Sequence, residues 1–263
     1  MSINRAYPAG TFTPRPGAAK RPRRILAQAG FDLRSTLRNG EQLLLTLIIP
    51  LALLLALSLF DPFGAGSESS SGVDQATPGI IALAVMSTAF TSLAIATGFD
   101  RRSGALKLLS TTPLTRAELI WARAFSVAAI EVLQIVLIVA IALALGWSPA
   151  GNPAAAVLLV VLGTLAFAAW GAFVAGVLRA EATLAVANGI FVLLMLGGGV
   201  VVPASSLPSV WATVVGYLPS GALAGGLRDV LIAGQSLPMM PCIVLAVWAV
   251  VGFVLAARTF KWE

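Results

Sequence analysis

Glu131 is the strongest candidate for a functional side chain by its position, because it interrupts an apolar run from about Leu119 to Leu145. Gln134 follows it almost one helical turn later. If the run spans a bilayer, a charged carboxyl at its centre costs roughly 2.5–3.5 kcal/mol on insertion scales. Two interpretations stay open: a polar contact on a transport path, or an interhelical hydrogen bond that holds a helix bundle together.

Catalytic chemistry has few residues to work with in this chain. The sequence contains no histidine, one cysteine, and only three lysines, none of which falls in the phosphate-binding pattern G-x-x-x-x-G-K-[ST]. The commonest general base is therefore missing, and a thiolate or imidazole metal site is not expected. We expect no catalytic residue, metal or cofactor in this chain, and Cys242 is interpreted as a packing residue.

A charged turn follows the second long apolar run. Residues 100–104 read Asp-Arg-Arg-Ser-Gly, and Leu106, Leu108 and Leu109 come directly after them. These leucines are predicted to form an exposed apolar tip, and such a tip typically docks onto a partner. The alternative is an interfacial helix that buries them in lipid. Residues 115–118 have the spacing of a capping box and predict the start of the next helix.

The composition is that of a membrane protein. Hydrophobic residues make up 58% of the 263, charged residues 11%, and the mean hydropathy is +0.93. A soluble domain of this length needs far more charge to cover its surface. Runs long enough to cross about 30 Å of hydrocarbon recur along the chain. Six spans are predicted: Leu43–Phe60, Gly79–Gly98, Leu119–Leu145, Ala154–Leu178, Leu184–Val202 and Met240–Ala257.

The distribution of basic residues predicts the orientation of these spans. With six spans and both termini in the cytoplasm, only Arg228 of the 17 lysines and arginines lies outside, as the positive-inside rule expects. A further crossing within Ser209–Ala233 would place the basic C-terminus outside. That stretch is therefore interpreted as a pair of short helices dipping into the outer leaflet, within a re-entrant segment at 203–238. The net charge of +6 then reflects orientation, and no nucleic-acid partner is expected.

Two segments precede the first span. Residues 1–24 are basic and rich in proline, and are predicted to be a disordered cytoplasmic tail near lipid headgroups. Residues 25–42 are predicted to hold an amphipathic helix at the interface, because Leu26, Leu33 and Leu37 share one face. Residues 43–263 form the membrane domain. The predicted fold is an all-α membrane protein with six transmembrane helices, an N-terminal interfacial helix and a re-entrant helical segment before the last span.

In this order, the motifs resemble those of the permease subunits of bacterial type-2 ATP-binding-cassette exporters. The matching features are Pro50 in the first span, acid-Arg-x-x-Gly at 100–104, Thr-Pro-Leu-Thr at 112–115, three glycines at 197–199 before Pro203 and Pro208, Leu-Pro at 218–219 and Leu-Arg at 227–228. Each is weak alone, and their order makes the match specific. The acidic position is usually Glu in the family and is Asp100 here, and the tail at 1–24 has no counterpart.

The resemblance implies partners that composition does not show. Two permeases, identical or homologous, pair in such exporters, and each docks on a cytoplasmic ATPase that holds ATP and magnesium. Residues 99–116 would form the coupling segment, with contacts from Asp100, Arg101, Gly104, Leu106 and Leu109. Spans one, two and five would line the substrate path, for which the candidates are Met86, Phe90, Asn188 and Phe191, with Glu131 from span three.

The resemblance implies outward movement of a hydrophobic or amphipathic molecule, drug-like or lipid, across a bacterial inner membrane. A secondary transporter or channel centred on Glu131 is the alternative, although such a protein usually needs several intramembrane ionisable groups. A membrane-embedded assembly factor without transport is a third hypothesis.

Overall fold

The structure is a computed structural model that describes residues 17–60 and 72–259. Most of the predicted tail, residues 61–71 and the last four residues lie outside the described part. Every regular element within it is a helix. The helices are α1 Arg21–Arg38, α2 Gly40–Phe60, α3 Gly72–Val85, a π-helical segment Met86–Ser92, α4 Leu93–Arg102, α5 Ala105–Ser110, α6 Arg116–Ala144, α7 Pro153–Val177, α8 Ala180–Gly197, a 3₁₀ turn Ala204–Ser206, α9 Ser209–Tyr217, α10 Pro219–Leu231 and α11 Met239–Thr259.

Five helical stretches are long and apolar enough to cross a membrane. They are Gly72–Arg102, which joins α3, the π-helical segment and α4, together with α6, α7, α8 and α11. Helix α2 is 21 residues long and apolar over Thr46–Phe60, and it supplies the predicted first span. The all-α membrane fold predicted from the sequence is confirmed.

Helices α9 and α10 form the predicted pair of short helices. Their axes meet at 97°, so the pair does not form one straight span. The bend lies at Leu218, whose extended backbone separates α9 from the proline that opens α10. A proline in the first turn loses no hydrogen bond, because that N–H has no partner in a helix anyway.

Helix α1 begins at Arg21, four residues earlier than predicted. Pro22 is accommodated because it falls in the first helical turn. The helix ends at Arg38, and Asn39 separates it from α2. It packs along α6, where Arg24 Nη2 donates to Glu118 Oε1 at 2.6 Å.

The second span differs from the prediction in its start and its regularity. It begins at Gly72 instead of Gly79, because Pro78 is accommodated within α3. The π-helical segment then interrupts it, as π turns inside α-helices often do at functional sites. Helix α7 approaches this segment at Gly171, where a Cβ atom would lie 2.8 Å from the Phe90 carbonyl oxygen. The close approach explains why no side chain fits at position 171.

The fifth span is shifted relative to the prediction, because α8 begins at Ala180 instead of Leu184 and ends at Gly197 instead of Val202. The three glycines at 197–199 lie where the span ends, and Gly199 has a φ of +77°, a left-handed conformation typical of the chain just beyond a helix end. Arg228 on α10 binds the chain just beyond, because its Nη1 donates to the Gly199 carbonyl at 2.7 Å and its Nη2 to that of Val200 at 2.5 Å. The lone arginine of the re-entrant segment therefore holds the end of α8.

Candidate functional site

The predicted coupling segment, residues 99–116, lies at the end of the bundle that we call the α5 end. There, Arg123 on α6 joins two side chains of α4: its Nη2 donates to Asp100 Oδ2 and its Nη1 to Thr97 Oγ1, both at 2.5 Å. Arg123 is buried, with 6% of its surface exposed. Because a buried arginine needs a charged partner, Asp100 is tied to α6.

Sequence reasoning overlooked Arg123. The available signal was Arg123 itself, seven residues after the start of α6 and four residues inside the predicted third span. Such a residue close to a span end needs a partner, and Asp100 lies on the neighbouring helix end.

Arg101 binds the end of another helix. Its Nη1 donates to the Gly176 carbonyl at 3.0 Å, and its Nη2 donates to the Leu178 carbonyl. These carbonyls belong to the end of α7, where helix geometry leaves acceptors without intrahelical partners. Asp100 and Arg101 therefore fasten the coupling segment to α6 and α7, and their predicted contact with an ATPase stays a prediction.

Gly104 and α5 form the tip of the segment. Gly104 adopts φ +79°, which favours glycine and turns the chain into α5. The expectation that all three leucines of α5 are exposed is wrong for Leu106, which is fully buried against Leu114 and Leu119. Leu109 is half-buried beside them, and Leu108 is 73% exposed. The physical reason is helical spacing, because residues 106 and 108 lie on nearly opposite faces.

The capping box predicted at the start of α6 is confirmed. Thr115 Oγ1 accepts from the Glu118 backbone N–H at 3.3 Å, and a Glu118 carboxylate oxygen accepts from the Thr115 backbone N–H at 2.9 Å. The other Glu118 oxygen accepts from Arg24. Helix α1 is thus joined to the first residues after the coupling segment.

A polar cavity of about 250 Å³ lies beside this segment, between α1, α4 and α6. Asp32, Asp100 and Arg123 are its charged lining residues. Burial raises the pKa of Asp32 above its usual value of 3.8, although Arg123 and a hydrogen bond from Gln28 oppose this and Asp100 adds to it. Asp32 thus brings a second carboxyl close to the Arg123–Asp100 ion pair.

A larger cavity of about 670 Å³ lies between the predicted spans one, two and five. Asn188 and Phe191 line it, together with Ser87 and Thr91 of the π-helical segment. Met86 and Phe90 do not line it: both side chains are buried in the chain's own core, at 0% and 3% exposure. Their neighbours Ser87 and Thr91 face the cavity instead, and the role of Met86 and Phe90 on the substrate path stays a prediction.

Glu131 and Gln134 occupy different surroundings. Gln134 joins two spans, since its Oε1 accepts from Thr88 Oγ1 at 3.0 Å and its Nε2 donates to the Thr46 carbonyl at 2.8 Å. Glu131 lies beside Thr164 of α7, with 2.5 Å between the Thr164 hydroxyl and Glu131 Oε2. The interhelical contact expected of Glu131 is present, and the residue does not line the cavity between spans one, two and five. Its role in transport stays a prediction.

Metal-binding side chains are scattered. Within residues 17–60 and 72–259, no three His, Cys, Asp or Glu residues lie close enough together to hold a metal ion.

The geometry defines a multi-pass helical membrane protein with a short amphipathic helix fastened between two of its spans and a bent helix pair at the opposite end. Comparison with known families sharpens this class. The sequence profile of the ABC-2 family transporter proteins matches residues 57–258, about three quarters of the chain, so the chain belongs to that family. No curated protein matches it significantly.

The family assignment confirms the resemblance seen in the motifs. The chain is the permease component of an ABC transporter, a membrane transport component that is not itself an enzyme. Membership of this family implies association with an ABC ATPase.

Proposed function

We propose that this chain is the membrane subunit of an ATP-driven exporter in a bacterial inner membrane, with both termini in the cytoplasm. A separate ATPase, present in two copies, binds ATP and magnesium, and two permeases, identical or homologous, pair to form the path. The substrate is a hydrophobic or amphipathic molecule, drug-like or lipid, taken from the cytoplasm or the inner leaflet. The observation that carries this proposal is how α5 contacts the rest of the bundle: one of its faces is buried and the other is exposed.

Helix α5 combines a firm anchor with an exposed contact. Leu106 is fully buried against Leu114 and Leu119, whereas Leu108 on the opposite face is 73% exposed. A lone exposed leucine is unremarkable on a surface, but this one stands at the tip of a turn between two spans. A groove on a partner that covers Leu108 would hold α5 through an apolar contact.

The mounting connects α5 to three spans. Asp100 and Arg101, which precede α5, are bonded to α6 and to the end of α7 respectively. Because both side chains leave the same end of α4, a displacement of α5 by a partner would be passed to spans two, three and four together. This is what coupling of ATP hydrolysis to a transport path requires.

The cavity between spans one, two and five supports an amphipathic substrate. Ile49, Leu83 and Phe191 give it apolar walls, and Ser87, Thr91 and Asn188 add hydrogen-bonding groups. Its volume of about 670 Å³ lies within the range of small-molecule sites. We therefore keep Asn188 and Phe191 as path residues, and add Ser87 and Thr91.

The test is purification of the tagged chain in mild detergent from its native host, with and without Leu108→Asp. The unchanged chain is expected to retain an ATPase, identified by mass spectrometry. The amount of ATPase that the Asp variant retains should be at least about tenfold lower, because burying a carboxylate in an apolar groove is costly. Leu26→Asp is the matched control, since Leu26 is a similarly exposed leucine, at 63%, on α1.

Equal retention by Leu108→Asp and the unchanged chain would contradict docking through α5. A stable chain that never retains an ATPase would contradict the exporter proposal itself.

A further inference from the structure

A second large cavity lies on another side of the bundle, as a groove between α6 and α7 that reaches α10. Its volume is about 610 Å³, within the range of small-molecule sites. Val132, Val136 and Val157 on its walls are 63%, 58% and 61% exposed, so the groove opens to the outside of the chain's own fold. Among the residues that the structure describes, none lines both this groove and the cavity between spans one, two and five.

Glu131 is the exception in an otherwise apolar wall. The other lining side chains are almost all aliphatic or aromatic, whereas Glu131 brings a carboxyl to the middle of α6. Its side chain is buried, with 2% exposed, and its Oε1 atom has no hydrogen-bond partner among the described residues. A buried polar atom left without a partner costs about 1–3 kcal/mol, so this atom calls for an explanation.

Thr164 contacts only the other carboxyl oxygen of Glu131, Oε2. The Thr164 hydroxyl lies 2.5 Å from Glu131 Oε2 and 2.9 Å from the Val160 carbonyl, and its single proton serves one of them. A carboxyl that carries its own proton on Oε2 can donate to Thr164 Oγ1 while the hydroxyl donates to Val160, and both contacts are then hydrogen bonds. In that arrangement, Oε1 is a carbonyl-type acceptor with both lone pairs unused.

Trp147 adds a second polar atom without a partner to the same groove. It follows α6, lines the groove and is 7% exposed. Its indole Nε1 is buried and has no hydrogen-bond partner among the residues at 17–60 and 72–259. Tryptophan indoles usually find an acceptor when buried. Two side chains that line the groove thus each hold a buried polar atom without a described partner: an acceptor on Glu131 at mid-helix and a donor on Trp147 near the connection between α6 and α7.

We propose that this groove binds a long aliphatic molecule that carries an O–H or N–H donor, and that Glu131 Oε1 accepts the hydrogen bond from it. Apolar walls suit a hydrocarbon chain that enters from the membrane, while the unpaired acceptor selects chains with a donor. Polar atoms of the molecule near Trp147 accept from its indole. The site is separate from the path proposed above and requires neither ATP nor an ATPase.

Fluorescence quenching tests this proposal on the full chain, purified with whatever it retains and placed in lipid nanodiscs without nucleotide. The probes are 12-bromododecan-1-ol and 1-bromododecane, since bromine quenches tryptophan on contact and Trp121 and Trp147 both line the groove. The alcohol is expected to reach half-saturation at about a fivefold lower concentration than the bromoalkane, the effect of one hydrogen bond of ordinary net strength.

Two substitutions at Glu131 separate the effect of its hydrogen-bond acceptor from the effect of its side-chain packing. In Glu131→Leu, the two probes should reach half-saturation at the same concentration, because the acceptor is gone. Glu131→Gln keeps an oxygen acceptor while its amide N–H donates to Thr164, so the preference for the alcohol should remain. Trp147→Phe should remove part of the saturable signal, and Trp211→Phe, a position that does not line the groove, should leave it unchanged.

Several outcomes would overturn the site. They are equal half-saturation of both probes in the unchanged chain, an alcohol preference that survives Glu131→Leu, and a signal indifferent to the loss of both Trp121 and Trp147. Val136→Cys, in a Cys242→Ala background, tests whether a second copy of the chain occupies the groove instead. Disulfide-linked dimers together with no saturable quenching would show that a second copy covers the groove.

Discussion

The two ends of the helix bundle are held together in different ways. At the α5 end, three pairs of charged side chains meet one another, in addition to the Arg101 contacts with backbone carbonyls: Arg123 with Asp100, Arg24 with Glu118, and Arg102 with Glu181. At the α9–α10 end, the charge of Arg228 meets backbone carbonyls, and helices touch through glycines. Ion pairs between side chains can break and re-form when helices shift, whereas close helix contacts at glycines leave no space for such a shift. The end proposed to receive the ATPase is therefore the adjustable one.

Gly199→Ala should have the largest effect, because it adds a side chain at the α9–α10 end, where the helices are in close contact. A Cβ atom there would lie 2.6 Å from Val215 Cγ1, and the φ of +77° is unfavourable for any other residue. We expect a loss of about 3 kcal/mol from overpacking and backbone strain together. Thermal unfolding in detergent measures it.

Gly225→Ala is the matched control, since that glycine lies in α10 with no heavy atom within 4 Å of an added Cβ. It should leave the melting temperature unchanged or raise it, because alanine is the better helix former. Equal losses in the two variants would show that the α9–α10 end is not held by close glycine contacts.

Asp100→Asn should have an intermediate effect, because it tests the charged end. It leaves Arg123, whose side chain is 7% exposed, without its ionic partner. Breaking a buried pair typically costs 3–5 kcal/mol. The Asp100 side chain is 43% exposed, so water can reach the site, and we expect about 1–2 kcal/mol.

Glu181→Gln serves as its comparison. The Arg102–Glu181 pair lies on the surface, with side chains 62% and 69% exposed, and its loss should cost less than about 0.5 kcal/mol. Thermal unfolding and ATPase retention should be measured on both variants. A loss of retention in Asp100→Asn at unchanged stability would sharpen the comparison, because it would separate coupling from folding.

The sequence predicted the helices better than it predicted the faces that they present. Apolar runs define spans through their length alone, so a helix lies at each predicted span with shifted ends, and the bent pair was recognised from the distribution of basic residues. Faces depend on regular helical spacing. The π-helical segment breaks that spacing, and Met86 and Phe90 consequently lie in the core while Ser87 and Thr91 reach the cavity.

Contacts between residues far apart in the sequence were the other feature that the sequence did not predict. The role of Arg123 depends on Asp100, 23 residues away, and that of Glu131 on Thr164, 33 residues away. Neither separation follows a helical period, so only the packing of spans two, three and four brings the groups together. The capping box at Thr115 could be predicted because both of its partners lie within four residues.

The smallest effect is expected at Asp32, a buried carboxyl beside the α5 end whose pKa is shifted. Burial raises the pKa of Asp32 above 3.8 in the folded chain, and Arg123 and Gln28 hold the rise in check. A carboxyl with a raised folded pKa favours folding most when protonated, so its contribution is fully present below pH 3.8 and is lost as the pH rises through the raised pKa. Asp32→Asn should remove that part of the pH dependence. Its melting temperature, relative to the unchanged chain, should rise with pH from about 3.8 and then level off. A difference between the two chains that stays constant with pH would show that burial does not raise the pKa of Asp32, and Asp32 would then not contribute to the pH dependence of the α5 end.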